Sequence, residues 1–366
     1  NAYFGWVNER GGVNGRRLKL VAYDNRTDFT QDATNARRLY EQDGVIGMAA
    51  TLPDALADYV TRNEIPTMVL GLSAPAFSSE FPTVYPILQS NVSATYAFTW
   101  GLKEAGIVKP GMRVGMTYDT ELIDIGPYIS YAKEAWEIVG AKVVTADPFN
   151  FSEGDCTPMV NKMRSLDVDW WDFEGLSWVL CVSAAQRLGY QPNIGWGNWP
   201  TNIGALAREA GPRVDGVWFM APADEPSGYP REKSQAHIDY VEQLRHYAPR
   251  LTDPIHLNSV VTQTFWMVGR LWEAALREAG DVVTKRELNT YFQSLKDFDM
   301  GIAPPLESWD PKCKAGVNTV WTGQWKWESG NPIRVGRTPY LGNPVAAERY
   351  GKCFVTTLAD KVVRGE

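Results

Sequence analysis

The chain has 366 residues, of which 44% are hydrophobic and 22% charged, with a formal net charge of −7. That length exceeds what one hydrophobic core serves, and the composition is that of a soluble globular chain, so two α/β lobes are expected rather than a disordered, fibrous or membrane-embedded protein. The acidic balance, with no run of clustered Lys and Arg, argues against a nucleic-acid partner, and no stretch approaches the roughly 20 apolar residues that cross a bilayer.

In chain order, Leu18 to Tyr23 reads as a strand, followed by the loop Asp24-Asn25-Arg26. From Gln31 to Gln42, apolar residues recur at Ala33, Ala36, Leu39 and Tyr40, the spacing of a helix that stops at Asp43-Gly44, and Val45 to Ala50 is a buried-strand run. The alternation continues with a helix at Pro53 to Asn63, a strand at Pro66 to Leu70, a helix at Asn91 to Ala105 and a strand at Arg113 to Tyr118. Strand, helix and strand in this order predict a parallel doubly wound sheet.

A second α/β series follows, with helices near Pro127 to Val139, Pro158 to Leu166, Trp178 to Leu188 and Ile203 to Ala210. They alternate with strands at Lys142 to Ala146, around Trp170, near Ile194 and at Gly216 to Met220. Ala221-Pro222-Ala223-Asp224-Glu225 breaks the pattern and is expected to be a crossover. Glu232 to Leu295 reads as three helices, and the tail turns to hairpin-like alternation around Val320, Trp321, Trp325 and Trp327. The expected division is residues 1–120 with 226–320 in lobe 1, and 121–225 with 321–366 in lobe 2.

Signatures of chemistry are thin. The three histidines, His237, His246 and His256, belong to no metalloprotease motif. Gly71-Leu72-Ser73-Ala74-Pro75 approaches a nucleophile elbow but lacks its second glycine. No G-x-G-x-x-G or Walker sequence follows a predicted strand. Asp119 and Glu121 could pair as acid and base, but loop carboxylates are more commonly solvated. The expectation is a non-enzyme with no cofactor and no metal. What stands out instead are loops at the carboxyl ends of strands, where open α/β sheets place ligands: Thr51, before a helix opening on Pro53-Asp54, and Ser73 with Ala74 after the next strand.

The four cysteines, Cys156, Cys181, Cys313 and Cys353, form no C-x-x-C pair. An even, dispersed set favours disulfides and an extracytoplasmic location. Three pairings are possible. The expected one is sequence-local, Cys156 to Cys181 and Cys313 to Cys353, each closure contributing about 3 kcal/mol.

Asn8-Glu9-Arg10-Gly11-Gly12-Val13-Asn14-Gly15-Arg16, Tyr23-Asp24, Asn35-Ala36-Arg37-Arg38-Leu39 and Gly44-Val45-Ile46-Gly47 resemble the branched-chain amino-acid-type periplasmic binding proteins of ABC transporters. Leu188-Gly189-Tyr190-Gln191-Pro192 and Ala303-Pro304-Pro305-Leu306 extend the resemblance over nearly the whole chain. It implies a type I Venus-flytrap fold, two α/β lobes joined by three hinge crossings and closing on a ligand. It also implies an extracytoplasmic receptor, periplasmic or membrane-anchored, that is monomeric and delivers a small molecule to membrane permease subunits; a ligand sensor of the same fold is the alternative. Against this family, Asn1 to Asn8 look like the tail of the first helix, and a first strand and an export signal are expected upstream.

The resemblance also implies site residues. Thr51 matches a hydroxyl that holds a ligand carboxylate, and Leu72, Ser73 and Ala74 match the second loop of that lobe. Opposite them, Ile125 stands where a tyrosine is common, Glu174 lies near another family aromatic, and Asn198, flanked by Trp196 and Trp199, falls where an acid binds the ligand's ammonium. An amide cannot neutralise a buried cation, so a small carboxylate, amide or aromatic solute is expected rather than leucine, unless Glu174 takes the acid's place.

Overall fold

A computed structural model of the protein describes residues 2–26, 28–121, 124–196, 204–223, 234–257, 259–338, 341–342 and 344–366. Three short parallel strands, β1 (Met48–Ala50), β2 (Thr67–Val69) and β3 (Val84–Pro86), pair in that order. Helices Asp32–Glu41 and Ala57–Arg62 alternate with β1 and β2, as the periodicity predicts. The strand β3 escapes sequence reading because it is three residues long and ends in a proline. An edge strand tolerates a residue without an N–H, and the Pro86 carbonyl is instead engaged by the Trp309 indole at 2.6 Å.

The expected strand Leu18 to Tyr23 has no ladder and is part of none of the sheets. Its only backbone hydrogen bonds among those described are at Leu18, with the Asn8 side chain on both sides. Between this segment and β1 lies a cavity of about 830 Å³, walled by Val21, Ala36, Leu39, Val45, Val268 and Trp272. A strand needs a neighbour on which to pair its N–H and C=O groups, and among the described residues none lies there.

The larger sheet contains β4 (Arg113–Tyr118), β5 (Lys142–Pro148), β6 (Trp170–Glu174), β7 (Asn193–Trp196) and β8 (Trp218–Ala221). A two-stranded antiparallel ribbon, β9 (Lys296–Phe298) and β10 (Leu306–Ser308), stands apart. The tail hairpin, β11 (Trp321–Glu328) and β12 (Asn331–Gly336), completes the large sheet in the order β12-β11-β8-β7-β6-β4-β5. Pairing is parallel from β5 to β8 and antiparallel at β11. Because β4 sits inside this sheet and helix Asn91–Glu104 packs on it through Phe98 and Leu102, the chain leaves the small sheet at Ile87–Asn91, ahead of the expected division at 120.

Every residue of β6 is buried. Trp171 and Phe173 face one layer, and Trp170 faces the other, beneath Phe98 and Trp136. Both expected disulfides are present, Cys156–Cys181 and Cys313–Cys353. The first ties helix Thr157–Ser165 to helix Trp178–Arg187. The second fixes the start of helix Phe354–Arg364. Next to it the buried Lys314 ammonium donates to the carbonyls of Ser78, Phe81 and Val84 at 3.0, 2.6 and 3.0 Å. Among the described residues no helix is long and apolar enough to cross a membrane, and no cluster of metal-ligating side chains occurs.

Candidate ligand-binding cleft

The carboxyl ends of β1 and β2 face those of β4 and β6, and the candidate residues gather there. After β2 the chain turns through Gly71 at φ 121° and Leu72 at φ 71°. Gly71 is required twice over, because its φ is unfavourable for any side chain and a Cβ would stand 2.9 Å from the Leu88 carbonyl oxygen. Leu72 carries backbone strain of about 1 kcal/mol or more, tolerated because its surroundings fix it: its N–H donates to Gln89 and its carbonyl accepts from Asn91. Beside it the Asn91 side chain is buried, and among the described residues neither its amide nitrogen nor its amide oxygen has a hydrogen-bond partner.

Ser73 and Ala74 follow and open the short helix Ala74–Phe77. The Ser73 hydroxyl donates to Asp54 Oδ2 at 2.6 Å. Asp54 lies on the loop that Thr51 begins, and that loop is held to its neighbour by the Leu70 N–H donating to the Thr51 carbonyl. Asp54 remains exposed to solvent, yet it is crowded enough for burial to raise its carboxyl above the usual range. A carboxyl both hemmed in and reached by water is what a crevice wall presents.

The opposite wall is built on Asp119. Its Oδ2 accepts from the Leu176 N–H at 2.6 Å and its own N–H donates to the Glu174 carbonyl, which locks the tips of β4 and β6 together. Gly175, at φ 147°, makes room for it, since a Cβ there would lie 2.4 Å from that carboxylate. Read from sequence as a solvated loop acid, Asp119 is only 4% exposed, and burial raises its carboxyl. From this base Ile125 and then Tyr128 are hung by successive backbone hydrogen bonds, and the Tyr128 hydroxyl crosses to accept the Ala74 N–H at 2.7 Å.

The structure therefore brings Leu72, Ser73, Ala74 and Ile125 into one junction, with Thr51 at its edge. Glu174 is placed differently. Its backbone is at the tip of β6, but its side chain is fully buried, accepting from the Thr95 hydroxyl at 2.9 Å and adjoining Asp172. Asn198 and Trp199 lie outside the described residues. Two participants were not singled out from sequence. Asp54 was read only as part of a helix opening, and Tyr128 stands three residues beyond Ile125, where a tyrosine was looked for; a search of the whole Gly126-Pro127-Tyr128 turn would have found it.

A family profile described as periplasmic binding protein matches residues 1–331. Among solved structures, a branched chain amino acid ABC transporter protein from Thermus thermophilus with bound valine is 14% identical with a TM-score of 0.78, covering 95% of this chain and 92% of that one. A fatty acid ABC transporter substrate-binding protein from Thermomonospora curvata is 17% identical, with a TM-score of 0.74 and coverage of 96% and 88%. An ABC transporter solute binding protein from R. palustris in complex with benzoate is 16% identical, with a TM-score of 0.68 and coverage of 94% and 92%. At these identities the likeness is one of fold: a two-lobed type I periplasmic binding protein. No curated protein matches by sequence.

Proposed function

We propose, from the premise that the chain belongs to the periplasmic binding protein family, that it is the extracytoplasmic solute receptor of an ABC importer. It binds one small amino-acid-like, carboxylate, amide or aromatic solute between its lobes and transforms nothing. The observation that carries this reading is the junction of Ser73 and Ala74 with Tyr128, where the strand tips of two sheets meet, among the described residues, through the Ala74–Tyr128 hydrogen bond and a shared apolar cluster. Such a contact is broken and remade at little cost, so a solute touching both sides shifts an equilibrium between open and closed lobes that a permease can sense.

Three further observations support it. Ligands of open α/β sheets lie beyond the carboxyl ends of strands, as this junction does. The two disulfides suit an oxidising compartment outside the cytoplasm. Two of the three similar structures named above carry valine and benzoate, solutes of the size proposed. The test is to denature the protein after gentle purification and identify any released molecule by mass spectrometry, then to titrate it back. One small solute bound at 1:1 and recovered unchanged is the expected result. A chemically altered product, or no saturable binding of any small solute, would overturn the reading.

A further inference from the structure

We propose that Asp54 sets the charge of the solute, so that the cleft takes molecules carrying a cationic amino group and disfavours the corresponding simple carboxylates. The inference rests on the receptor reading and narrows it.

All three donors of the Ser73–Ala74 loop already have protein acceptors: the Gly71 carbonyl takes the Ser73 N–H, Asp54 Oδ2 takes the Ser73 hydroxyl and Tyr128 Oη takes the Ala74 N–H, the last two lying where a ligand would approach. A carboxylate laid on this loop must displace both acceptors and then lie within a few ångströms of the Asp54 carboxyl. Like charges at that separation oppose ionisation of one another. Asp54 is already disfavoured in its charged form by the crowding around it. Among the described residues no Lys or Arg is among the leading influences on Asp54 or on Asp119 across the cleft, and Asp124 adds a further acid near Tyr128. These acids do not offset an added anion, whereas an ammonium would restore Asp54 to its ionised form and satisfy it.

Two more features agree. The unpartnered Asn91 amide, buried under the same loop, is a polar group of the kind that is rarely left without a water or ligand partner. The apolar cluster of Leu56, Leu72 and Ile125 beside the junction suits an apolar body attached to the amino group. Asp54 thus supplies, from the first lobe, the acid that Asn198 does not. Glu174, the other candidate for that role, is engaged with Thr95 and Asp172.

The test is calorimetric titration with two isosteric sets, leucine, 4-methylpentanoate and 3-methylbutylamine, and phenylalanine, 3-phenylpropanoate and 2-phenylethylamine, against the native protein and Asp54→Asn. At least one set is expected to show its amine-bearing members binding about tenfold or more tighter than its plain carboxylate, with that preference lost or reversed in Asp54→Asn. A carboxylate that binds as tightly as its amine partners, or a preference that survives Asp54→Asn, overturns the proposal while leaving the receptor reading intact. If Asp54→Asn does not fold, the solute released from the native protein decides: a basic nitrogen supports the proposal and its absence overturns it. Binding of none of the six, with no solute released, would count against the receptor reading and this proposal together.

Discussion

Asp172 and Glu174 alternate along β6 onto the same face, where two carboxyls share a dry pocket with the Trp136 indole, which donates to Asp172 Oδ2 at 2.7 Å. Burial pushes Asp172 up to about 6, and burial with the neighbouring Asp172 charge holds Glu174 well above the carboxylate range. Between the ordinary Asp value of 3.8 and about 6, the folded chain keeps a proton that the unfolded chain releases. Stability through this pair is therefore full at low pH and lost as the pH rises through 6. Asp172→Asn, which keeps an acceptor for Trp136, is expected to flatten that loss, as seen by denaturant unfolding at pH 4, 5, 6 and 7. An unchanged slope would show that the pair does not hold the proton. Lys314 offers a second test at this scale: Lys314→Met removes the donor from three carbonyls, two buried and one part-buried, and is expected to cost roughly 3 kcal/mol by thermal or denaturant unfolding. A cost under about 1 kcal/mol would mean water replaces the ammonium.

At the scale of elements, the alternation of strands and helices from Gln31 to Leu70 was legible because the first helix shows its apolar period and Asp43-Gly44, Pro53 and Pro66 mark the boundaries. The large sheet's strands were legible for the same reason. What was not legible depended on partners far away in sequence. The segment Leu18 to Tyr23 has strand composition without a strand beside it, β3 is too short to show a period, and no local signal tells that β4 joins the second sheet rather than the first. Hydrogen exchange tests the first of these. Amides of residues 18–25 are expected to exchange much faster than those of β2, which is paired on both sides; equal protection would mean the segment is laddered in solution. The disulfides were legible as the sequence-local choice among three possible pairings of an even, dispersed set of cysteines. Replacing Cys313 and Cys353 together by Ser is expected to cost about 3 kcal/mol. It should also loosen helix Phe354–Arg364, whose Asp360 accepts from the Ser78 and Ser79 hydroxyls just after the short helix Ala74–Phe77. Loss of stability without faster exchange in that helix would separate the two effects.

For the whole molecule, the two-lobed class was readable from length, alternation and the resemblance, while the cleft was readable only on one side. Thr51, Ser73 and Ala74 announce themselves as strand-end loop residues, but Asp54 and Tyr128 acquire meaning only when two sheets are set tip to tip. We place the moving joints where the chain passes between the sheets, at Ile87–Asn91, at Ala221–Ala223 and at Val317–Trp321, with Tyr118–Glu121 shaping the wall between them. Tyr128→Phe removes the acceptor that Ala74 uses across the cleft, so the unliganded lobes should part more often and affinity for the solute should change without loss of fold. The central claim, that one small solute closes two lobes on itself, is tested most directly by small-angle scattering on solute-free and solute-saturated protein. The account predicts a smaller radius of gyration and a shorter maximum dimension on saturation. A saturably bound solute that leaves both quantities unchanged would contradict it.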